Sequence, residues 1–192
     1  KVIFNEIEAI PAKSFLVFSL RDNTIVDNEL KVEKSNSSRD LDDILSESLE
    51  LRLQRDLEIP YFLSGGIDSN LLVAISKRKL GYEPTTLSAT FKNTNYDESE
   101  YILNTIKNLG IKNSHVINIS PNQYIYDMID NIHLLTDQPF SDSSFIVTKY
   151  LCNIAKKHNF KGYIGADGAD ECFWGYLKYR NLSKYLKLRK VF

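Results

Sequence analysis

Tyr61-Phe62-Leu63-Ser64-Gly65-Gly66-Ile67-Asp68-Ser69-Asn70 decides the reading of this 192-residue chain. Residues 58–63 are a brief, largely apolar run of strand length, with Pro60 tolerable near its start. Ser64-Gly65-Gly66 breaks that run, and Asn70-Leu71-Leu72-Val73-Ala74-Ile75-Ser76 resumes at helical spacing. The local prediction is a buried strand, a glycine turn and a helix. Paired glycines let the backbone turn tightly and approach a ligand with no Cβ in the way. Amides of such a turn, with the positive end of the following helix behind them, form a phosphate site. Asp68 would repel phosphate by itself and makes sense with a divalent cation between them. A simple N-cap at Asp68 or Ser69 is the plainer alternative. The full Ser-Gly-Gly-x-Asp-Ser string in its strand-to-helix context favours phosphate, and the missing Gly-Lys-Ser/Thr excludes a Walker loop.

Composition sets the outer limits. A hydrophobic fraction of 43% and a charged fraction of 26% suit one globular domain, or one with an appendage, that buries a real core. A net charge of −1 implies neither a nucleic-acid partner nor an anionic membrane surface. The sequence shows no apolar run of bilayer length and no signal-peptide pattern at its start. Cys152 and Cys172 lack metal or C-x-x-C spacing and are expected to be buried free thiols, which suits a cytoplasmic protein. The start at Lys1 and the stop at Phe192 after a basic stretch are read as cut ends.

Outward from the loop, residues 1–33 alternate in the strand manner. Val2 and Phe4 precede a turn at Ile10-Pro11-Ala12-Lys13-Ser14; Phe15 and Val17 lead through a polar turn at 21–23 to Ile25 and Val26. Such a piece is too short for its own sheet and needs a partner surface. Ser35-Asn36-Ser37-Ser38 is a linker, and Ser38 or Asp40 can cap a helix to about residue 55, with Leu41, Ile44, Leu45, Ser48, Leu49 and Leu53 on one face. Beyond the loop, helices are expected at 70–80, 97–109, 121–135 and from Asp142 or Ser143 to 158, and strands at 85–91, 114–119 and 161–165. Strands alternating with helices give an α/β fold with a parallel sheet.

A second constellation follows the last of these strands: Gly165-Ala166-Asp167-Gly168-Ala169-Asp170-Glu171-Cys172-Phe173-Trp174-Gly175-Tyr176. Small residues and three carboxylates at a strand's carboxyl end suit a place where backbone nears a nucleotide and carboxylates hold Mg²⁺ or move a proton. An acidic loop capping the next helix is the alternative for this stretch alone.

The first motif resembles the pyrophosphate loop of the N-type ATP pyrophosphatases, which include the asparagine, GMP, NAD and argininosuccinate synthetases. Three more segments narrow the resemblance to the asparagine synthetases and their amidotransferase relatives. These are Tyr96-Asp97-Glu98-Ser99, Asp137-Gln138-Pro139-Phe140-Ser141-Asp142-Ser143-Ser144, and the stretch from Asp167 to Tyr176. Four motifs in the family's order span roughly residues 40–180.

The resemblance implies a Rossmann-like PP-loop sheet with helices on both faces over residues 38–192, after a short β segment, 1–34, resembling the last strands of a glutaminase domain. It also implies roles. Ser64, Gly65, Gly66, Asp68 and Ser69 would bind the β,γ-pyrophosphate of ATP, with Asp68 and Asp170 at Mg²⁺. Leu63, Ala89 and Ala166 would bracket the adenosine, and Asp167 would do acid/base work. Ala166 and Trp174 stand where glycine is usual or common, and Asp167 where many members have Glu. The implied reaction adenylates a carboxylate, aspartate giving asparagine, with ammonia as nucleophile from a glutaminase domain or subunit. Family cousins acting on a sugar acid or closing an intramolecular amide remain open, as does a nucleotide-binding module without turnover. Lys178, Lys184, Lys187 and Lys190 cannot be matched to the family's catalytic lysine by spacing, and the basic residues 180–190 read as a solvated helix face. His115, His133 and His158 are scattered and fit no metal template.

Overall fold

The fold is built from a hairpin, a small parallel sheet and the helices that cover it, in a computed structural model that describes residues 5–29, 38–53, 57–136, 142, 144–176, 178–179 and 181–182. The chain divides into two compact units, Lys1–Arg39 with Asn131–Ser141, and Asp40–Asp130 with Asp142–Phe192. The expected strand at Val2 and Phe4, the linker residues 35–37, positions 137–141 and 143, and Lys184, Lys187 and Lys190 lie outside the described residues.

In the first unit, β1 (Ser14–Ser19) and β2 (Thr24–Glu29) form an antiparallel hairpin in which Val17 faces Val26 and Phe18 faces Ile25. Alternation puts Phe15 and Val17 on one face, Leu16 and Phe18 on the other. All four are exposed. The segment does form a two-stranded sheet of its own, contrary to the expectation that it is too short for one, because six residue pairs close the hairpin.

In the second unit, α1 (Leu41–Arg52) starts at an N-cap Asp40 whose side chain accepts from the Asp42 amide. Its buried residues are Ser46 and Leu49; Leu41 and Ile44, expected on the core face, are exposed. β3 (Tyr61–Phe62) is followed by α2 (Ile67–Ala74), which continues as a π-helical turn over Ile75–Lys79. β4 (Thr85–Thr90), α3 (Ser99–Leu109) and β5 (Asn113–Asn118) come next. Gly110, at φ +62°, caps α3 in the left-handed conformation that glycine adopts without a Cβ penalty. α4 (Pro121–Leu135), whose residues from Asn131 on count with the first unit, α5 (Ser144–Lys157) and a short α6 (Ala169–Phe173) complete the order.

β3, β4 and β5 pair in parallel, in that order. The expected strand at 161–165 is a single parallel bridge between Ile164 and Tyr61 on the other side of β3. This is a correction with a physical reason. β3 offers only two residues of ladder, and Gly162 and Gly165 flank Ile164 with no side chains to pack. α2 also begins three residues earlier than expected, because Gly66 is extended at φ −72° and the helix starts directly behind it.

Alternation along β3 sends Tyr61 and Leu63 to one face and Phe62 to the other. The first face joins Leu49, Val73, Ile75, Ile102 and Ile164 in a core. The second joins Leu87, Leu151 and Ala155, with Phe62 and Ala89 packed against them. Helices thus cover both faces of a parallel sheet, as expected. Tyr163 stacks on Phe62 with ring centroids 3.8 Å apart and planes 4° from parallel, which pins the Ile164 segment beside β3. Ile102 has 0% exposure and anchors α3. Ile102→Ala is expected to cost about 2–5 kcal/mol in a denaturant melt, the range for truncating a buried Ile; a loss below about 1 kcal/mol would contradict this packing.

Candidate functional site

The two loops singled out in the sequence leave the carboxyl ends of adjacent parallel segments. Phe62 N–H donates to Ile164 O at 2.9 Å, Ile164 N–H donates to Pro60 O at 2.9 Å, and Leu63 N–H donates to Leu87 O at 2.9 Å. β3 therefore has β4 on one side and the Ile164 segment on the other. In open α/β sheets ligands bind at such a point, where strand order reverses.

The 64–69 loop is held from within. Ser69 is buried; its Oγ accepts from the Ser64 amide at 3.1 Å and lies 3.0 Å from Ser64 Oγ. Ser64 Oγ accepts from the Gly66 amide at 3.1 Å. Asn70 Nδ2 donates to the carbonyls of Ser64 and Gly66 at 3.0 and 2.6 Å, and Asn70 Oδ1 accepts from Thr105 of α3. The Gly65 amide donates to Glu98 Oε2 at 2.8 Å. Neither loop glycine has a positive φ, so crowding and not backbone conformation explains them. A Cβ on Gly65 would meet Glu98 atoms at 3.0–3.2 Å, and one on Gly66 would meet Ser64 Oγ at 3.3 Å.

Asp68, in the first turn of α2, is half-buried and lines a cleft of about 460 Å³ with Gly165, Ala166, Asp167, Gly168 and Ala169. Leu41, Ile44 and Leu71 give the cleft an apolar wall. The structure thus brings together Asp68, Ala166 and Asp167. Asp170 does not line this cleft. Its Oδ1 occupies the place a Cβ would take on Gly175, at 1.7 Å, so glycine there lets the 170–175 turn close on the aspartate. Leu63 and Ala89 join cores on opposite faces of the sheet, so only their backbone can face a nucleotide.

The profile of the asparagine synthase family matches residues 40–191. The chain belongs to the asparagine synthase family. It is 31% identical over 153 residues to "Asparagine synthetase [glutamine-hydrolyzing] 1" of Bacillus subtilis (strain 168), covering 79% of this chain and 23% of that protein. It is 31% identical over 157 residues to a "Probable asparagine synthetase [glutamine-hydrolyzing]" of Acanthamoeba polyphaga mimivirus, 78% of this chain and 27% of that protein. A "Putative asparagine synthetase [glutamine-hydrolyzing] 2" of Methanocaldococcus jannaschii is 27% identical over 149 residues, 77% of this chain and 28% of that one. The matched stretch spans about a quarter of these curated relatives.

Two departures from the family's pattern have a structural reading. Trp174 caps α6 at φ +62°, a left-handed position where glycine carries no steric cost. Ala166 has no positive φ, so its backbone takes an alanine at the position where the resemblance led to glycine being expected.

Other expectations fare differently. Cys172 is exposed and Cys152 half-buried, since α6 buries none of its residues; burial raises the Cys152 thiol pKa. The histidines are not all scattered: the rings of His115 and His158 lie 4.2 Å apart. Among the described residues, no group of three His, Cys, Asp or Glu could hold a metal ion, and no helix is long and apolar enough to cross a membrane. Asp142 Oδ1 accepts from the Ser144 amide and hydroxyl at 2.9 and 2.7 Å; these bonds hold its carboxyl below the usual range and favour the capping role. Lys178 Nζ lies 4.5 Å from the Tyr176 ring centroid. The Glu98 and Thr105 contacts were missed, since nothing in local spacing ties residues 33 or 35 positions apart.

Tyr176 donates to Glu171 Oε1 at 2.7 Å across the second loop. That bond pushes the tyrosine pKa up to about 12 and pulls Glu171 below its usual value. A raised pKa contributes stability that is present below pH 10 and lost as pH rises toward 12; a lowered carboxylate contributes stability lost as pH falls below about 4.5. The melting-temperature gap between the wild type and Tyr176→Phe should be flat from about pH 6 to 9 and shrink at both extremes. A gap that widens above pH 10 would contradict the bond.

Proposed function

We propose that this chain carries the ATP-using half of an amide-forming ligase, adenylating a carboxylate and releasing pyrophosphate and AMP. One observation carries the reading: the serine-glycine loop and the Ala166-Asp167 loop leave the carboxyl ends of neighbouring parallel segments, and Asp68 and Asp167 share one cleft. A strand-to-helix loop with inward-facing amides suits the β,γ-pyrophosphate of ATP. The curated relatives named asparagine synthetase suggest aspartate as the carboxylate. Their description as glutamine-hydrolysing suggests ammonia from a glutaminase domain or subunit.

The donors present fit Mg²⁺. This ion is commonly held by one or two carboxylates plus phosphate oxygens, so a site with no third protein donor is sufficient. Asp68 would hold it from the cleft, and Asp170 would join if the 170–175 turn releases its side chain. When bound, the ion offsets charge on the departing pyrophosphate.

The chain's own residues do the rest. The 64–69 loop, its shape set by the Ser64 and Gly66 amides on the Ser69 and Ser64 hydroxyls, offers the Gly65 amide and the exposed Ser64 side chain to orient the β- and γ-phosphates, which fixes the α-phosphorus in the cleft for attack by the substrate carboxylate. The Leu63 and Ala89 backbone and Ala166 bracket the adenosine. Asp167, exposed at the cleft, takes the proton that ammonia loses on attacking the activated acyl group. The apolar wall from α1 and α2 limits water near that group.

Calorimetric titration of ATP with and without Mg²⁺, into the wild type and Asp68→Asn, tests the proposal. Binding that requires Mg²⁺ and weakens about tenfold or more in the variant is expected, as for loss of a metal-site carboxylate. Pyrophosphate released with aspartate, and not with a panel of sugar acids, would select the acceptor. Mg²⁺-independent binding unaffected by the variant would contradict the site.

A further inference from the structure

We propose that Glu98 is a displaceable internal competitor for the phosphate loop: its carboxylate holds the Gly65 amide, and pyrophosphate oxygens must push it aside to bind. This inference rests on the reading of the 64–69 loop as a pyrophosphate site.

The loop amides differ in what they donate to. Ser64 and Gly66 donate to serine hydroxyls inside the loop, at 3.1 Å each, and these neutral contacts set its shape. Gly65 donates at 2.8 Å to a charged carboxylate from 33 residues downstream. A carboxylate and a phosphate oxygen are equivalent acceptors for a backbone N–H, both charge-assisted, so one excludes the other. Gly65 is shaped for this contact, since the place of a Cβ lies 3.0 Å from Glu98 Cβ and 3.2 Å from Oε2.

Displacement needs little rearrangement. Glu98 is exposed, so its side chain can rotate into solvent. The backbone around it is fixed separately. Asp97 Oδ1 accepts from the Ser99 amide at 3.0 Å, and Thr105 of the same helix holds Asn70, which braces the loop carbonyls. α3 therefore stays attached while one side chain moves. The device acts as a selectivity filter. A monovalent anion offers one contact in exchange for the Glu98 bond and meets the repulsion of its charge. A polyphosphate offers several contacts and displaces it.

The test is calorimetric titration of inorganic pyrophosphate, with and without Mg²⁺, into the wild type, Glu98→Ala and Glu98→Gln, with the Gly65 amide followed by ¹⁵N–¹H NMR. Glu98→Ala should bind pyrophosphate about three- to tenfold tighter, a discounted value for an exposed charged hydrogen bond. Glu98→Gln should fall between it and the wild type. The Gly65 resonance should shift in the ligand-free variants and, in the wild type, move on adding pyrophosphate. Should Glu98→Ala melt early, Glu98→Gln alone decides. Equal or weaker binding in the variants, or loss of Mg²⁺ dependence, overturns the competitor role while leaving the phosphate loop standing. No pyrophosphate binding by any of the three overturns both.

Discussion

Three backbone hydrogen bonds around a two-residue strand hold the site together. Phe62 N–H donates to Ile164 O and Ile164 N–H to Pro60 O on one side of β3, and Leu63 N–H donates to Leu87 O on the other. Because the ladder is short, side chains stabilise it: Tyr61 at 2% exposure in one core, and Phe62 stacked on Tyr163 over the other. Each loop of the site begins within two residues of this ladder. A shift in its register would move Asp68 and Asp167 relative to each other, whatever the loops themselves preferred.

Charge is arranged with the same economy. Asp68 and Asp167 line the cleft, Asp170 turns toward Gly175 outside its lining, and Glu98 adds one more carboxylate at the loop. Local bonds hold two further carboxylates: Tyr176 holds Glu171 and Ser144 holds Asp142. Asp170 is restrained by its close fit against Gly175. The second loop is therefore stiffened by side-chain bonds, the first by its own hydroxyls. Both arrangements favour preorganisation over search.

Much of this was legible in the residues. The order strand, glycine pair, helix was plain from a change of period, as were a cap at Ser38 or Asp40, which falls at Asp40, and the stop at Gly110. What escaped depends on distance in space. The strand expected around Ile164 is only a bridge, because its length is set by its neighbour β3 and not by its own sequence. Apolar neighbours suggested a buried Cys172, but α6 is too short to turn a face inward. The Glu98–Gly65 bond and the His115–His158 contact join elements that no periodicity connects. The glycine pair was expected for a tight turn and close approach without a Cβ, and the structure adds a neighbouring side chain beside the backbone. Steric room for a neighbouring side chain, and not a left-handed backbone, keeps residues 65 and 175 small.

On the proposed reading, two loops about a hundred residues apart in sequence form one nucleotide site. An ¹⁵N–¹H titration of the chain with Mg-ATP tests it most directly. Amides of the 64–69 loop and of residues 166–169 are expected to shift together along one saturation curve with a single Kd. Shifts in only one loop, or in the two loops at distinct concentrations, would show that the strand-end loops do not act as one site.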